Sequence, residues 1–219
     1  MKTALFILLI TLTSSSLAQE SLRVYDASRR FDVVVTVSKC EDKVLGECDG
    51  KFDFFRKKAK KSFQTINLRT MVGATDSELS FADFNFDGAE DVAIKDGMKS
   101  AYITPSYQVY LFYKSQNKFV YSPSFTRLAT GESMGLFEIN RRKKTLVRES
   151  RVGCCYFWTE TYDIVSGKPR KISRVIYDES SAAQIWAITT TEKLVNGRWR
   201  TWTKRSRILA ANSSIKTPQ

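Results

Sequence analysis

Histidine is missing from the 219 residues of this sequence, and its absence excludes several kinds of chemistry. Ser-His-Asp and Cys-His catalysis both need an imidazole, and so do histidine-ligated metal sites. Carboxylates, tyrosines, lysines and backbone groups are the remaining candidates for a reaction centre. They form no recognisable catalytic motif, so we expect a protein that is not an enzyme.

Long apolar runs are missing as well, apart from one at the N-terminus. Residues 1–18 contain Lys2, an apolar stretch, and the small residues Ser16 and Ala18 before a cleavage point. This arrangement is typical of a secretory signal peptide. No cysteine follows it to carry a lipid, and no later run reaches the roughly 18 apolar residues of a membrane span. We therefore expect a soluble protein that is periplasmic or secreted.

Cysteine is scarce, with four residues in the chain: Cys40, Cys48, Cys154 and Cys155. In an exported protein we expect these cysteines to be oxidised. The spacing of Cys40 and Cys48 is compatible with a local disulfide across a loop, and the doublet would then form a vicinal disulfide or remain as thiols. Alternatively, each cysteine of the doublet bonds to one of the two distant cysteines. Adjacent cysteines are poorly spaced for a tetrahedral zinc site.

Alternation of apolar and polar residues predicts β-strands along much of the chain. Segment 30–38 places four apolar side chains on one face: Phe31, Val33, Val35 and Val37. Four later segments have the pattern of hairpins with short turns: 106–122, 135–150, 162–177 and 185–204. The last of them turns at Asn196-Gly197, a strong signal for a two-residue hairpin loop. Segment 52–68 predicts either a hairpin with a basic tip or a short helix followed by a strand.

Successive hairpins predict an all-β fold, an antiparallel meander that forms either a sandwich or a barrel-like structure. No clear linker divides the chain, so we expect a single β-rich domain over residues 19–209. The polar residues 210–219 predict a disordered tail.

An acidic loop interrupts this pattern in a chain whose formal net charge is +12. In DFNFDGAED, oxygen-bearing side chains stand at positions 1, 3, 5 and 9, and Gly88 allows a sharp reversal at position 6. A flexible set of oxygen ligands favours calcium over magnesium. We therefore predict a calcium-binding β-hairpin loop, with the carbonyl of Ala89 completing the ligands: Asp83, Asn85, Asp87, Ala89 and Asp91. The alternative interpretation is a hydrophilic turn rich in Asp, Asn and Gly.

Several motifs follow one another in an order typical of one group of proteins. They are DFNFDGAEDVAIKDG, AYITPSYQVYLFY, KFVYSPSFTRLA, GLFEINRRKKTL, VGCCYFWTETYDIVSGKPRKI and TEKLVNGRWR. Together they resemble exported bacterial calcium-loop immunity proteins related to periplasmic inhibitors of invertebrate-type lysozyme. The likeness covers about residues 78–205. It implies a β-rich protein that binds a lysozyme-like peptidoglycan hydrolase and blocks its cleft.

The same resemblance implies a partner-binding loop after the calcium hairpin, where a tyrosine enters the active site of the enzyme. The matching residue here is Tyr102, with Ser100 and Tyr107 as neighbouring candidates for partner binding. This sequence departs from the family pattern where glycines are expected around the tyrosine: it has Ser100, Ala101, Ile103 and Thr104. Fewer glycines give the loop less access to positive φ.

Basic residues concentrate in four stretches: 56–61, 141–144, 168–174 and 198–207. In the last stretch, strand alternation places Arg198, Arg200 and Lys204 on the same face as Trp202. Such a face could hold an anionic envelope polymer or an acidic protein, whereas export argues against nucleic acid as the partner. The alternative interpretation is a set of solvated turns and edge strands, in which lysine discourages edge pairing.

Overall fold

The computed structural model describes residues 21–25, 28–41, 46–71, 79–179 and 186–207. The predicted signal peptide and the predicted tail lie outside these ranges. The described residues form fourteen strands and one short α-helix, α1 (Pro123–Thr126), with 3-10 turns at Ala101–Ile103 and Arg127–Ala129. The strands are β1 (Ser21–Tyr25), β2 (Phe31–Ser38), β3 (Glu47–Arg56), β4 (Gln64–Met71), β5 (Leu79–Ala82), β6 (Asp91–Gly97), β7 (Ser106–Tyr113), β8 (Lys118–Tyr121), β9 (Glu138–Asn140), β10 (Thr145–Val152), β11 (Tyr156–Val165), β12 (Lys168–Asp178), β13 (Trp186–Val195) and β14 (Arg198–Arg207).

The strands form three sheets, in each of which neighbours in sequence pair antiparallel. The sheet orders are β1-β2-β3-β4, β5-β6-β7-β8 and β14-β13-β12-β11-β10-β9. The predicted antiparallel meander is therefore confirmed, as are the four predicted hairpins. Segment 52–68 contributes to the β3–β4 hairpin, so its hairpin alternative is the one observed. No helix within the described ranges has the length and apolar character needed to cross a bilayer.

The sheet β5–β8 is the middle layer of the protein. Alternate residues of its strands contribute to two different cores: Val92 and Ile94 of β6 pack in the first with Phe31, whereas Ala93 packs in the second with Leu146. Since both faces are covered, all seven residues of β6 are buried. The arrangement is that of stacked sheets, which is the sandwich alternative of the predicted fold.

Strand β2 forms one side of the first core, as its alternation predicts. Every second residue of the strand is buried, and the buried residues are the four that the sequence predicts: Phe31, Val33, Val35 and Val37. Burying apolar side chains of this size contributes roughly 1.5–3 kcal/mol each relative to leaving them exposed. The period-two pattern is therefore sufficient to orient this strand.

Both disulfides are local. Cys40 bonds to Cys48 across the β2–β3 connection, and Cys154 bonds to Cys155 in the turn between β10 and β11. The local pairing with a vicinal disulfide is thus the observed alternative, and pairing of the doublet with the distant cysteines is not.

Candidate functional site

The acidic loop between β5 and β6 is closed by its own side chains. Asp83 accepts hydrogen bonds from the backbone N–H groups of Asp87 (3.0 Å) and Gly88 (2.8 Å). Asn85 Oδ1 accepts from the same Asp87 N–H at 3.1 Å, and Asp87 Oδ1 accepts from the N–H of Ala89 at 2.7 Å. These short-range bonds form because Asp and Asn side chains reach backbone amides a few residues further along.

The reversal at the centre of this loop uses left-handed backbone. Phe86 has φ of 59° and Gly88 has φ of 77°. Glycine adopts this conformation without a steric cost, which is the role that the sequence predicts for Gly88. The side chain of Phe86 packs against the second core and fixes the loop to the body of the protein.

Asp91 joins the acidic loop to the neighbouring strand. Its carboxyl is fully buried and accepts from the N–H groups of Phe84 and Phe112, each at 2.8 Å. Burial raises the pKa of Asp91 to about 7, and the charges of Asp87 and Asp83 act in the same direction, although the two N–H donors oppose the shift. Both hydrogen bonds come from uncharged backbone groups, so they offset the cost of burying this carboxyl only in part.

The donor chemistry of the loop suits a hard cation, because its polar side chains offer oxygen atoms. The oxygens of Asp83 and Asn85 meet at one N–H group, which directs both toward the same side of the loop. In the described part of the chain, however, no three His, Cys, Asp or Glu side chains are gathered closely enough to hold a metal. The carboxylates face the loop's own amides, so a cation would have to compete with these hydrogen bonds.

The second candidate feature is the tip, which we define as residues 100–104 between β6 and β7. Tyr102 and Ile103 have φ values of 55° and 56°, so two successive non-glycine residues are left-handed. Their side chains are 50% and 75% exposed. Left-handed backbone costs about 1–2 kcal/mol for a residue with a Cβ atom. The tip therefore presents two large side chains in a strained conformation.

The tip is braced by the turn that carries the vicinal disulfide. The Tyr102 hydroxyl donates a hydrogen bond to the carbonyl of Gly153, and the Arg151 guanidinium lies 5.0 Å from the centre of the Tyr102 ring. Arg151 also donates to the carbonyls of Gly153 (3.2 Å) and Cys154 (2.7 Å). Hydrogen bonds and a cation–π contact thus connect loops that are distant in sequence.

The other two predicted partner-binding residues lie beneath the tip. Ser100 is buried, with its hydroxyl donating to the carbonyl of Ala129 at 3.3 Å. Tyr107 is partly buried and packs against the second core. Their positions suit support of the tip better than direct contact. Sequence reasoning did not assign Arg151 to this site, and the Gly-Cys-Cys turn beside it was the available signal.

The basic strand β14 lies at the free edge of the six-stranded sheet and is exposed along nearly its whole length. Its register with β13 places Trp202 opposite Thr191, and Arg200 opposite Lys193. Alternation along the strand places Arg198, Arg200, Trp202 and Lys204 on one face, as the sequence predicts. Asn196 and Gly197 are both left-handed and form the predicted hairpin turn.

Comparisons with known proteins bear on the fold. No protein-family model matches the chain, and no curated protein matches it. The chain is similar to a solved structure described as a Xanthomonas type IV secretion system related protein, with a TM-score of 0.67 and 21% identity. The match covers 86% of this chain and 95% of that one. At this identity the likeness shows a shared fold.

Proposed function

We propose that this protein is an exported inhibitor, of the immunity-protein kind, that occludes the cleft of a lysozyme-like peptidoglycan hydrolase with its tip. Export is supported by the two disulfides, because such bonds persist in oxidising compartments such as the periplasm. The resemblance of the motif series to periplasmic lysozyme inhibitors supports the choice of partner.

The observation that carries this proposal is the strained, exposed pair Tyr102–Ile103. Backbone strain persists only where surrounding structure enforces it, and it concentrates at functional sites. Here the enforcing contacts are those of Arg151 and Gly153 with Tyr102. A braced tip loses little conformational freedom when it binds, which favours affinity.

The side chains around the tip suit insertion into a concave enzyme surface. Ile103, which follows Tyr102, is 75% exposed, and Val152, which stands between Arg151 and Gly153 in the chain, is 51% exposed, so both add apolar surface near the tip. Buried aromatic anchors with apolar neighbours dominate the binding energy of many protein interfaces. Because this chain carries a formal net charge of +12, the hydrolase we expect has an acidic surface, which would speed association.

A calcium ion in the acidic loop is part of the proposal. The residues that would hold it are the predicted ligands: Asp83, Asn85, Asp87, Ala89 through its carbonyl, and Asp91. The mutual repulsion of the three aspartates, and the cost of the buried Asp91 charge, would both be offset by a bound cation. Strand β6 begins at this loop and ends just before the tip. A calcium ion that stabilises the loop would therefore also stabilise the start of the strand that leads to Tyr102.

A cell-wall lysis assay tests the proposed function. Chicken-, goose- and invertebrate-type lysozymes would be assayed with the mature protein, with Tyr102→Ala, and with Tyr113→Ala as a matched control. Tyr113 is a tyrosine of similar exposure, 45%, at the end of β7. We expect inhibition by the wild type and by the control, and its loss in Tyr102→Ala. Inhibition that survives Tyr102→Ala would discard the tip as the site.

The second candidate function is an envelope-binding module that holds an anionic glycan or an acidic protein. The observation in its favour is the exposed basic and aromatic face of β14, with Trp202 51% exposed among three cationic side chains. Binding of this kind would weaken steeply with added salt and with Arg200→Gln, yet would not respond to Tyr102→Ala. Failure to inhibit any of the three lysozymes would favour this candidate.

A further inference from the structure

A cluster of cationic side chains surrounds one carboxylate on the inner face of the six-stranded sheet. Glu160 of β11 contacts Arg148 Nη1 at 3.2 Å and Lys171 Nζ at 3.0 Å, and Arg174 Nε lies 3.8 Å away. The strand register places Arg148 and Arg174 directly opposite Glu160, on either side of it. We call these four residues the Glu160 cluster.

The Glu160 cluster holds more positive charge than its carboxylate can balance. Three cations face one anion, and the ion pairs of Arg148, Lys171 and Arg174 within the described ranges all go to Glu160. The side chains of Glu160 and Arg148 are only 6% and 13% exposed. Although burial acts to raise it, the pKa of Glu160 is lowered, because hydrogen bonds from Lys171 and Tyr162 and the nearby cationic charges outweigh burial. Arg148 and Arg174 are mostly shielded from water, at 13% and 25% exposure, so positive charge left unbalanced there carries a desolvation cost.

Polar atoms without partners mark the same face of the sheet. Arg148 Nε, Arg174 Nε and Ser150 Oγ are buried and have no hydrogen-bond partner among the described residues. Ser150 is 1% exposed and lies two residues after Arg148 on β10, so both side chains point to the same face. Buried polar groups are almost always satisfied, and the exceptions commonly mark an ion or a water.

We propose that this face binds a small tetrahedral oxyanion, phosphate or sulfate, through Arg148, Ser150 and Arg174. Guanidinium groups present several donors in a plane that matches two oxygens of such an anion, and the Ser150 hydroxyl supplies one more donor. The anion would take up the surplus charge through donor atoms that make no hydrogen bond to Glu160: Arg148 Nε, Arg174 Nε and Ser150 Oγ.

Two neighbouring contacts prepare the arginines for this role. The Arg174 guanidinium lies 4.9 Å from the centre of the Trp158 ring, which is buried, and this stacking fixes its plane. Arg148 Nη2 donates to the carbonyl of Thr130 at 3.4 Å. Side-chain exposure rises to 25% at Arg174 and 37% at Lys171, so the anion would enter from the Lys171 side.

Melting temperatures in phosphate, sulfate and chloride, at matched ionic strength and pH, test the proposal. We expect saturable stabilisation by phosphate and sulfate over chloride, since a ligand that binds only the folded state stabilises it. Arg174→Gln should weaken the apparent affinity by about tenfold or more, as expected for the loss of one charge-assisted hydrogen bond. Arg170→Gln is the matched control, because Arg170 lies on the same strand but is 55% exposed and pairs with Asp163.

Ser150→Ala distinguishes an anion-binding site from a hydroxyl that is only buried without a partner. The substitution is small enough to preserve the fold. We expect it to melt at or above the wild-type temperature in chloride, because it removes an unsatisfied hydroxyl, and to gain less than the wild type from phosphate. Glycerol phosphate is the probe for an ester-linked group: stabilisation by it would indicate a polymer-borne phosphate, and stabilisation by the free ions alone would indicate a free anion. Equal melting in all three salts, or equal weakening by Arg170→Gln and Arg174→Gln, would overturn the proposal.

Discussion

The two loops that flank β6 differ in how they are closed. The reversal of the acidic loop before the strand is closed mainly by bonds between residues no more than five positions apart, such as Asp83 with Gly88, and only its end is tied to distant residues, through Glu90 with Ser28 and Asp91 with Phe112. The tip after the strand is held from a distance, by a hydrogen bond from Tyr102 to Gly153 across 51 positions. The conformation of a loop whose hydrogen bonds are local can be predicted from its own residues, whereas the conformation of a loop held by another hairpin depends on the tertiary fold.

The largest effect we expect comes from the residue that connects the acidic loop to the body of the sheet. Asp91→Ala leaves the buried N–H groups of Phe84 and Phe112 without an acceptor. Because each orphaned donor costs roughly 1–3 kcal/mol, the free energy of unfolding should fall by about 3 kcal/mol or more. Urea denaturation measures this change. Asp91→Asn keeps one acceptor and should lose less; equal stability of the two variants and the wild type would contradict the assigned role.

Calcium should act on the acidic loop and leave the bracing of the tip unchanged. At about 100 times its dissociation constant, a ligand adds about 2.7 kcal/mol to the stability of the folded state, so calcium should raise the melting temperature over that in EDTA. Asp87→Ala should remove the response. Glu90→Ala, in the same loop but with its carboxylate bonded to Ser28 at 2.7 Å, should keep it. An identical melt of the wild type in calcium and in EDTA would refute the metal assignment.

A pair of glycine exchanges should distinguish the two loops by the sign of their effect. Gly88→Ala places a Cβ atom on left-handed backbone and should cost about 1 kcal/mol, since that atom would meet Lys114 Nζ at an ordinary contact distance of 3.7 Å and strain is the main penalty. Ile103→Gly relieves the same strain at an exposed position, so its stability should be unchanged or higher. Thermal melts compare the two. A destabilised Ile103→Gly would show that the isoleucine side chain, despite its exposure, holds the tip.

The smallest effect on stability should come from the hydrogen bond between Tyr102 and Gly153. Tyr102→Phe removes the hydroxyl that bonds to Gly153 but keeps the ring beside Arg151. Because the bond is exposed, stability should fall by only about 0.5 kcal/mol, while inhibition of a hydrolase should weaken as the tip loosens. Parallel denaturation and lysis assays measure both quantities. Unaltered inhibition would show that bracing by this hydroxyl is not required.

Much of the fold could be predicted because its signals are local. The alternation that includes Phe31 and Val33 predicted one buried face of β2, and Asn196-Gly197 predicted a two-residue turn. Strand β6 is different: both of its faces are buried, so its residues carry no alternation that a single sequence can show. The segment around 52–68 stayed ambiguous for a similar reason, because short amphipathic stretches suit either a helix or a strand.

The candidate sites also differ in how much of each could be predicted from local sequence. The oxygen spacing of the acidic loop and the position of Tyr102 were available from the sequence, and calcium binding and inhibition remain predictions. The bracing of the tip by Arg151 and Gly153, and the meeting of Arg148 with Arg174 around Glu160, were not available. These contacts join residues on different strands, and their approach depends on sheet register.

By itself the sequence determined the class of fold, the hairpins and the local closure of one loop, because alternation, turn residues and Asx hydrogen bonds act within a few positions. Tertiary structure alone decided which sheet lies in the middle, which loop is braced by the vicinal disulfide turn, and where surplus positive charge is shielded. Each of those outcomes follows from the pairing of strands that are distant in sequence, and the sequence alone does not specify which distant residues come together in space.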